Sequence, residues 1–312
     1  MRLGLLVPTL NAGPRWADWL AALARQSRQP ERVLVIDSQS DDDTARLAQE
    51  AGHELLTIRR ADFDHGATRQ LGLTQLADCE VVVCLTQDAL LAGPNALQAL
   101  LATFADPLVA VAYGRQLPHQ DADPTAAHVR TFNYPPQSRS YSLDDRRRYG
   151  LKTAFCSNSF AAWRREALLA QGGFPSRTLL AEDMQATARL LMAGWRSAYV
   201  AEAQVYHSHN YSLQAEFRRY FDTGALHAHE PWLLETFGGA TGEGLRYITT
   251  EWRALRATGW YWPLRGLLGS AAKFSGYKFG RLYRYLPTGL CRRLSMHPAW
   301  WREAHPPTRP VQ

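Results

Sequence analysis

The apolar positions of this chain fall into two regimes. Up to Tyr113, short runs at 3–7 (LGLLV), 32–36 (RVLVI), 54–58 (ELLTI), 80–85 (EVVVCL) and 108–113 (LVAVAY) have strand length. They are rich in Val, Ile and Leu, as strands covered on both faces require. Between them, Trp16, Trp19, Leu20 and Leu23 recur at helical spacing within 15–25, and 42–51, 67–77 and 94–104 read as further helices. This alternation predicts a doubly wound parallel sheet, a fold that binds ligands at the carboxyl ends of its strands. Pro8, Asp37, Arg59 and Asp88 all fall at or just past such ends.

Beyond this point the pattern loosens. Residues 115–150 are polar, broken by Pro118, Pro124, Pro135 and Pro136, and include an acidic-basic run, DDRRR. That composition predicts an excursion over the active face rather than a linker. The stretch TAFCSNSFAAW reads as a strand, followed by a helix from Arg164, the turn GGFP, and a helix opened by Glu182 and Asp183 with Met184, Leu190 and Leu191 on its apolar face. Short strands around 197–200 and 204–206 lead into HSHNYS, and from about 212 onward the chain reads as wholly helical. The expected division is an α/β domain over 1–211 that changes character at about 115, with a basic, aromatic helical region over 212–312.

Composition narrows the class. At 312 residues and 46% hydrophobic, the chain can bury one large core, which excludes a disordered or fibrous protein. It has no apolar run of membrane-spanning length, and MRLGLLVPTLNAG is too short in its apolar part for a signal peptide, so a cytoplasmic protein is expected. Cys79, Cys84, Cys156 and Cys291 lack metal-type spacing and read as reduced core thiols. The formal charge of +6 is concentrated late: from Arg246 to Arg309 basic residues interleave with Trp252, Trp260, Tyr261, Trp262, Phe274, Tyr277, Tyr283 and Tyr285. Such a mixture suits an anionic membrane surface, or a helical subdomain packed on the catalytic core or on a second subunit. Nucleic acid is the weaker partner, because no recognition motif accompanies the charge.

Four constellations carry candidate chemistry. In VIDSQSDDDT, Asp37 ends a strand where a carboxylate can accept from a nucleobase imide or a ribose, while Asp43 and Thr44 read as the start of the next helix. In DFDHGATRQLG, Gly66 permits a close backbone approach and Arg69 offers a planar fork to a phosphate. In TQDALL, Asp88 is a single hard-oxygen ligand for a divalent cation, and His207 or His209 of VYHSHNYS can return to the same ion. In LLAEDM, Asp183 is placed to act as a general base with Glu182 supporting it. Neither a Gly-x-Gly-x-x-Gly after the first strand nor a P-loop occurs, which disfavours a dinucleotide or ATP site.

Taken in order, VPTLNAG, VIDSQSDDDT, HGATRQLG, TQDA, YGRQLP, FNYP, FCSN, GGFP, AEDM, HSHNYS and RRYFDTG resemble family 2 inverting glycosyltransferases of the GT-A fold, and most closely bacterial rhamnosyltransferases that build lipopolysaccharide or other surface polysaccharides. The resemblance covers about 1–290, including KFSGYKFGRLYRYLP. It implies transfer of L-rhamnose from dTDP-β-L-rhamnose to a saccharide or lipid-linked saccharide at the inner-membrane surface, aided by Mg²⁺ or Mn²⁺. Carried over, it implies that Pro8, Thr9, Asp37, Arg69, Gln87 and Arg115 line the donor pocket. Asp88, with His207 or His209, would hold the metal, Asp183 with Glu182 would be catalytic, and Asn158, Arg218 and Arg219 would meet the acceptor. The family's metal motif carries two acids, whereas here Thr86 holds the first position. Competing readings are a nucleotidyltransferase, which TLNAGPRW fits poorly, and a non-catalytic carbohydrate-binding protein on the same fold.

Overall fold

A computed structural model describes residues 1–239 and 242–302. The strands are β1 (Leu3–Thr9), β2 (Arg32–Asp37), β3 (Glu54–Thr57), β4 (Val81–Leu85), β5 (Leu90–Leu91), β6 (Val109–Leu117), β7 (Arg139–Tyr141), β8 (Phe160–Arg164) and β9 (Arg196–Tyr206). They form one sheet in the order β3-β2-β1-β4-β8-β6-β9-β5, with β7 also paired to β9. All five early apolar runs are strands, and the helices expected between them lie at Trp16–Ala24, Thr44–Glu50, His65–Gln75 and Ala96–Ala102. One sheet face packs on Trp16, Trp19, Leu97 and Leu100, and the other on Leu73, Leu168, Ala186 and Leu190. The result is a three-layer α/β core with apolar side chains filling both faces.

Three expectations need correction. The sheet is mixed rather than wholly parallel, because β8 runs antiparallel to both β4 and β6. Its sequence, FAAWR, carries no mark of direction. Only Phe160–Arg164 of TAFCSNSFAAW is strand, since Gly150–Ala154 is a 3₁₀ helix and 158–159 form a turn. The two short strands expected near 200 are one strand, β9, whose pairing with β6 slips between Gly114 and Arg115. That slip is a bulge, which periodicity reads as a break.

The 115–150 excursion contains a helix, Pro124–Asn133, capped by Asp123, whose carboxylate accepts from the Ala126 N–H at 2.7 Å. Pro8 sits in β1 beyond Leu6, where pairing with β4 has stopped while pairing with β2 continues. Its missing N–H is therefore not required for the ladder on the β4 side. All four cysteines are buried and free.

After 212 the described residues hold helices and no strands: Leu213–His229, Pro231–Phe237, Glu243–Leu255, Tyr261–Arg281 and Thr288–Leu294. Residues 303–312 of the basic region fall outside the described residues. Helix Tyr261–Arg281 lies along Leu213–His229 through a row of glycines. A methyl at Gly276 or Gly280 would overlap the carbonyl oxygens of Phe217 and Phe221, and one at Gly224 would overlap that of Tyr277. The two backbones are therefore in direct contact, which larger residues would prevent. The Gly276→Val variant is expected to lose about 2 kcal/mol or more through overpacking, read as a lower denaturant midpoint. An unchanged midpoint would show that the contact is not close.

Candidate active site

The antiparallel insertion of β8 sets the geometry of the site. Leu85 at the end of β4 pairs with Phe160 at the start of β8, and Leu117 at the end of β6 pairs with Tyr206 at the end of β9. Residues just past β4, β6 and β9 and just before β8 therefore share one edge of the sheet. Asp88, His207, His209 and Asn158 all lie there, and the helix Glu182–Met192 points its first turn at the same edge.

Asp88, His207 and His209 come together. Asp88 Oδ2 lies 3.4 Å from His207 Nε2 and 3.6 Å from His209 Nε2, and one ligand atom from each residue can be chosen within 4.8 Å of the others. The Asp88 side chain is about half covered, at 46% exposed, while His207 is buried. His207 Nδ1 is 3.0 Å from Gln116 Oε1 and donates to the carboxamide, which turns Nε2 toward Asp88. Burial disfavours the charged ring of His209, and neighbouring His207 adds to this, bringing its pKa down to about 4. Burial on its own would raise the Asp88 pKa, but the His207 hydrogen bond and charge, with His209 behind them, hold it well below the usual carboxylate range. One ionised carboxylate and two imidazole nitrogens make a donor set that fits a divalent cation. The two imidazoles both belong to the cluster, so the choice between His207 and His209 does not arise.

The second centre is the acid pair at the start of its helix. Asp183 Oδ2 accepts from the Asn158 N–H at 2.9 Å and Oδ1 from the Met184 N–H at 2.8 Å. Glu182 is buried and pairs with Arg69 Nη1 at 2.9 Å, and it also accepts from Asn158 Nδ2 at 3.2 Å. Burial raises the Asp183 pKa, and the Glu182 charge raises it further, against the two N–H bonds. For Glu182 the burial penalty is outweighed by Arg69 and His65, so it stays ionised. Ala181, immediately before the pair, has a left-handed φ of 59°. Such strain in a non-glycine residue is held only where the surroundings fix it.

A hydrogen-bonded path joins the two centres. Gln116 accepts from His207 and from Arg130, and its Nε2 donates to Ser157 Oγ at 3.0 Å. The next residue is Asn158, whose N–H holds Asp183. Neither Gln116 nor Arg130 stood out in the sequence. The only sign was YGRQLP at a strand end, which has no periodicity to distinguish it.

Several expected ligand contacts are instead internal. Arg69 is 3% exposed and is committed to Glu182 and to the His65 carbonyl at 3.0 Å, so it is not a phosphate contact. Gly66 serves that same packing: a methyl there would overlap the Pro175 carbonyl oxygen. Asn158 is 2% exposed, with Oδ1 taken by Trp163 Nε1 at 2.9 Å and Nδ2 by Glu182. It positions the acid pair and does not face an acceptor. Asp37 is buried, accepting from Thr9 Oγ1 at 2.9 Å and from the Ser40 hydroxyl and N–H at 2.6 and 2.8 Å. Its carboxylate ties the ends of β1 and β2 together rather than facing a base. Gln87 clasps Leu10, accepting from its N–H at 2.8 Å and donating to its carbonyl at 3.1 Å. Arg115 Nε donates to the Tyr134 carbonyl at 3.1 Å. Asp43 does not cap its helix, because the Thr44 N–H is bonded by Asp42 at 3.1 Å. Arg218 and Arg219 lie on the helix after the histidines, with Arg219 over the Tyr211 ring at 5.7 Å.

Residues 2–221 match the family model described as glycosyltransferase like family 2. The chain is 47% identical to the O-antigen chain rhamnosyltransferase WbaN of Salmonella anatum, over 95% of each chain. It is 46% identical to the O-antigen chain rhamnosyltransferase RfbN of Salmonella typhimurium, over 96% of each. Among solved structures, it is similar to the mannosyltransferase PcManGT from Pyrobaculum calidifontis in complex with GDP-Man and Mn²⁺, with a TM-score of 0.57, 20% identity, and 96% of this chain and 85% of that one covered. It is also similar to S. aureus TarS 1-349 in complex with UDP-GlcNAc, with a TM-score of 0.54, 16% identity, and 91% and 92% covered. Both likenesses identify a GT-A type of fold. The chain belongs to glycosyltransferase family 2 and is a glycosyltransferase.

Proposed function

We propose that this enzyme transfers L-rhamnose from dTDP-β-L-rhamnose, with inversion, to a saccharide acceptor during O-antigen assembly. One observation carries the reading: a metal-type cluster and a paired acid at a strained helix start share one sheet edge and are bridged by Gln116, Ser157 and Asn158. The sugar and the polysaccharide follow from the two Salmonella relatives named as O-antigen rhamnosyltransferases.

Asp88, His207 and His209 would hold the cation. A bound divalent ion neutralises charge on a departing diphosphate. Two imidazoles in the donor set favour Mn²⁺ over Mg²⁺, which prefers oxygen ligands. On the acceptor side, Asp183 takes the proton of the attacking hydroxyl. The hydroxyl oxygen bonds to the anomeric carbon as the bond to the dTDP oxygen breaks on the opposite face. Burial and the ionised Glu182 make Asp183 a stronger base than an ordinary aspartate, while the Asn158 N–H fixes its direction.

The same reading places the enzyme at a membrane surface. No helix among the described residues is long and apolar enough to cross a bilayer. The face of Tyr261–Arg281 opposite its glycines, however, exposes Leu264, Leu267, Leu268 and Phe274, beside Trp252 and an 81% exposed Trp260. Arg253 and Lys278 flank this face. Apolar and aromatic side chains edged by cations suit the headgroup region of an anionic bilayer.

Four outcomes are expected. Asp183→Asn should lower kcat by about 10²- to 10⁴-fold while leaving thermal stabilisation by dTDP with Mn²⁺ intact. Asp88→Asn, or EDTA, should abolish the Mn²⁺-dependent part of that stabilisation, and equal stabilisation by NAD without any response to dTDP would overturn the donor. Because a raised pKa keeps Asp183 protonated to higher pH, kcat/KM should fall on its acidic limb above the ordinary aspartate value of about 3.9; a limb at the ordinary value would remove Asp183 as the base. Trp260→Ser with Phe274→Ser should reduce co-sedimentation with phosphatidylglycerol vesicles without affecting dTDP binding, and undiminished co-sedimentation would exclude this face.

A further inference from the structure

One cavity of the protein lies away from the acid pair and the metal-type cluster. An open cavity of about 420 Å³ lies between the first turns of Leu213–His229 and the segment after Thr288–Leu294, lined by Ser212, Arg218, Arg292, Arg293, Ser295 and Met296 among others. Three arginines, Arg218, Arg292 and Arg293, line it, and none has an ion-pair or hydrogen-bond partner among the described residues. No carboxylate lines it. The two acids nearest in sequence are engaged elsewhere: Glu216 faces Arg265 at 3.3 Å and Lys273 at 3.6 Å, and Asp222 is buried and accepts from the Met296 N–H at 2.8 Å. Uncompensated like charges repel, so a cavity walled by three of them is stable with an anion inside. The planar forks of arginine match the oxygens of a phosphate better than those of a halide or a single carboxylate.

The position of the cavity is equally specific. One wall begins at Ser212, which follows Tyr211, and Tyr211 packs on His209 with ring centroids 5.3 Å apart. The other wall includes Met296, and the next residue, His297, packs on His65 at 6.1 Å. The His65 carbonyl is bonded by Arg69, the partner of Glu182. The cavity therefore lies between a wall leading to the metal-type cluster and a wall leading to the acid pair.

We infer that Arg218, Arg292 and Arg293 form a second anion site, separate from Asp88 and its histidines, that takes a phosphate or diphosphate group of the acceptor. This rests on the proposed transferase reading, because an acceptor must present a hydroxyl to Asp183. What it adds is the place where the charged end of such an acceptor is held, between the first turn of Leu213–His229 and the arginines of Thr288–Leu294. It also gives the basic residues of that region a function apart from its exposed apolar face.

The test is calorimetric titration of inorganic pyrophosphate into the full chain in EDTA, so that no cation bridges phosphate to Asp88. Wild type and Asp88→Asn should bind alike. Arg292→Ala/Arg293→Ala and the milder single variant Arg218→Gln should bind at least about tenfold more weakly, with melting temperatures close to wild type. In a parallel titration, dTDP with Mn²⁺ should bind all the arginine variants as it binds wild type. Vesicles of phosphatidylcholine with and without phosphatidylglycerol separate the sources of the phosphate. Pyrophosphate binding lost in the variants, with vesicle binding retained, supports an acceptor phosphate. Loss of vesicle binding without any pyrophosphate affinity in wild type overturns that assignment in favour of a bilayer headgroup. Pyrophosphate affinity unchanged in both arginine variants, or absent from wild type and vesicles alike, overturns the site. Failure of dTDP to bind wild type while pyrophosphate does would defeat the donor reading and leave the anion site standing.

Discussion

The cleft depends on the direction of one strand. Because β8 enters between β4 and β6 antiparallel to both, the turn before it begins at the sheet edge where its neighbours finish. A parallel strand of five residues would put that turn at the opposite edge, about 16 Å away. Asn158 sits in this turn, and its N–H meets the Asp183 carboxylate while Ser157 meets Gln116. A displacement of the turn would separate the acid pair from Asp88, His207 and His209 together, so the two centres form or fail as a unit.

The same turn organises the charge. A buried carboxylate is costly unless paired and hydrogen-bonded, and removing one partner of a buried pair exposes the full cost of the other. Glu182 meets both conditions through Arg69 and Asn158. Its retained charge, added to burial, is what raises the neighbouring Asp183. The arrangement separates two adjacent acids into two roles, one permanently ionised and paired, the other poised to take a proton. Arg69 thus acts on the proposed chemistry through Glu182 without touching a substrate. Gly66, in the first turn of the helix that carries Arg69, allows that helix to approach the Pro175 loop.

What the sequence disclosed follows from these physical demands. Strands covered on both faces must be nearly continuous apolar runs, so β1, β2, β4 and β6 were legible, as were the half-exposed β3 and the helix opened by Glu182 and Asp183. Metal-type residues were legible because a lone acid at a strand end and two histidines in three residues are unusual. The direction of β8 was hidden, since FAAWR reads the same in either sense and its neighbours are distant in sequence. Residues acting through other residues were hidden for the same reason. Asn158, Arg69, Asp37 and Gln87 were expected at the ligand because their types suit one, yet each is held by an internal partner that only the tertiary fold supplies. Gln116, which orients His207, has a residue type that suggests nothing by itself.

The C-terminal region shows how one helix can serve two environments. Along Tyr261–Arg281, Gly269, Gly276 and Gly280 fall on one face, and Leu264, Leu267, Leu268 and Phe274 on the other. With glycine in contact, the backbones of the two helices touch, and that face can bury little side-chain area in the protein. The bulky apolar residues are thereby left for the outside, where exposed patches of this kind signal an interaction surface. The helix that receives the glycine face, Leu213–His229, follows directly on the HSHNYS segment and carries Arg218 into the arginine cavity. The outer apolar face is therefore one helix layer away from the helix that follows the histidines, and backbone contact at Gly224, Gly276 and Gly280 fixes that spacing.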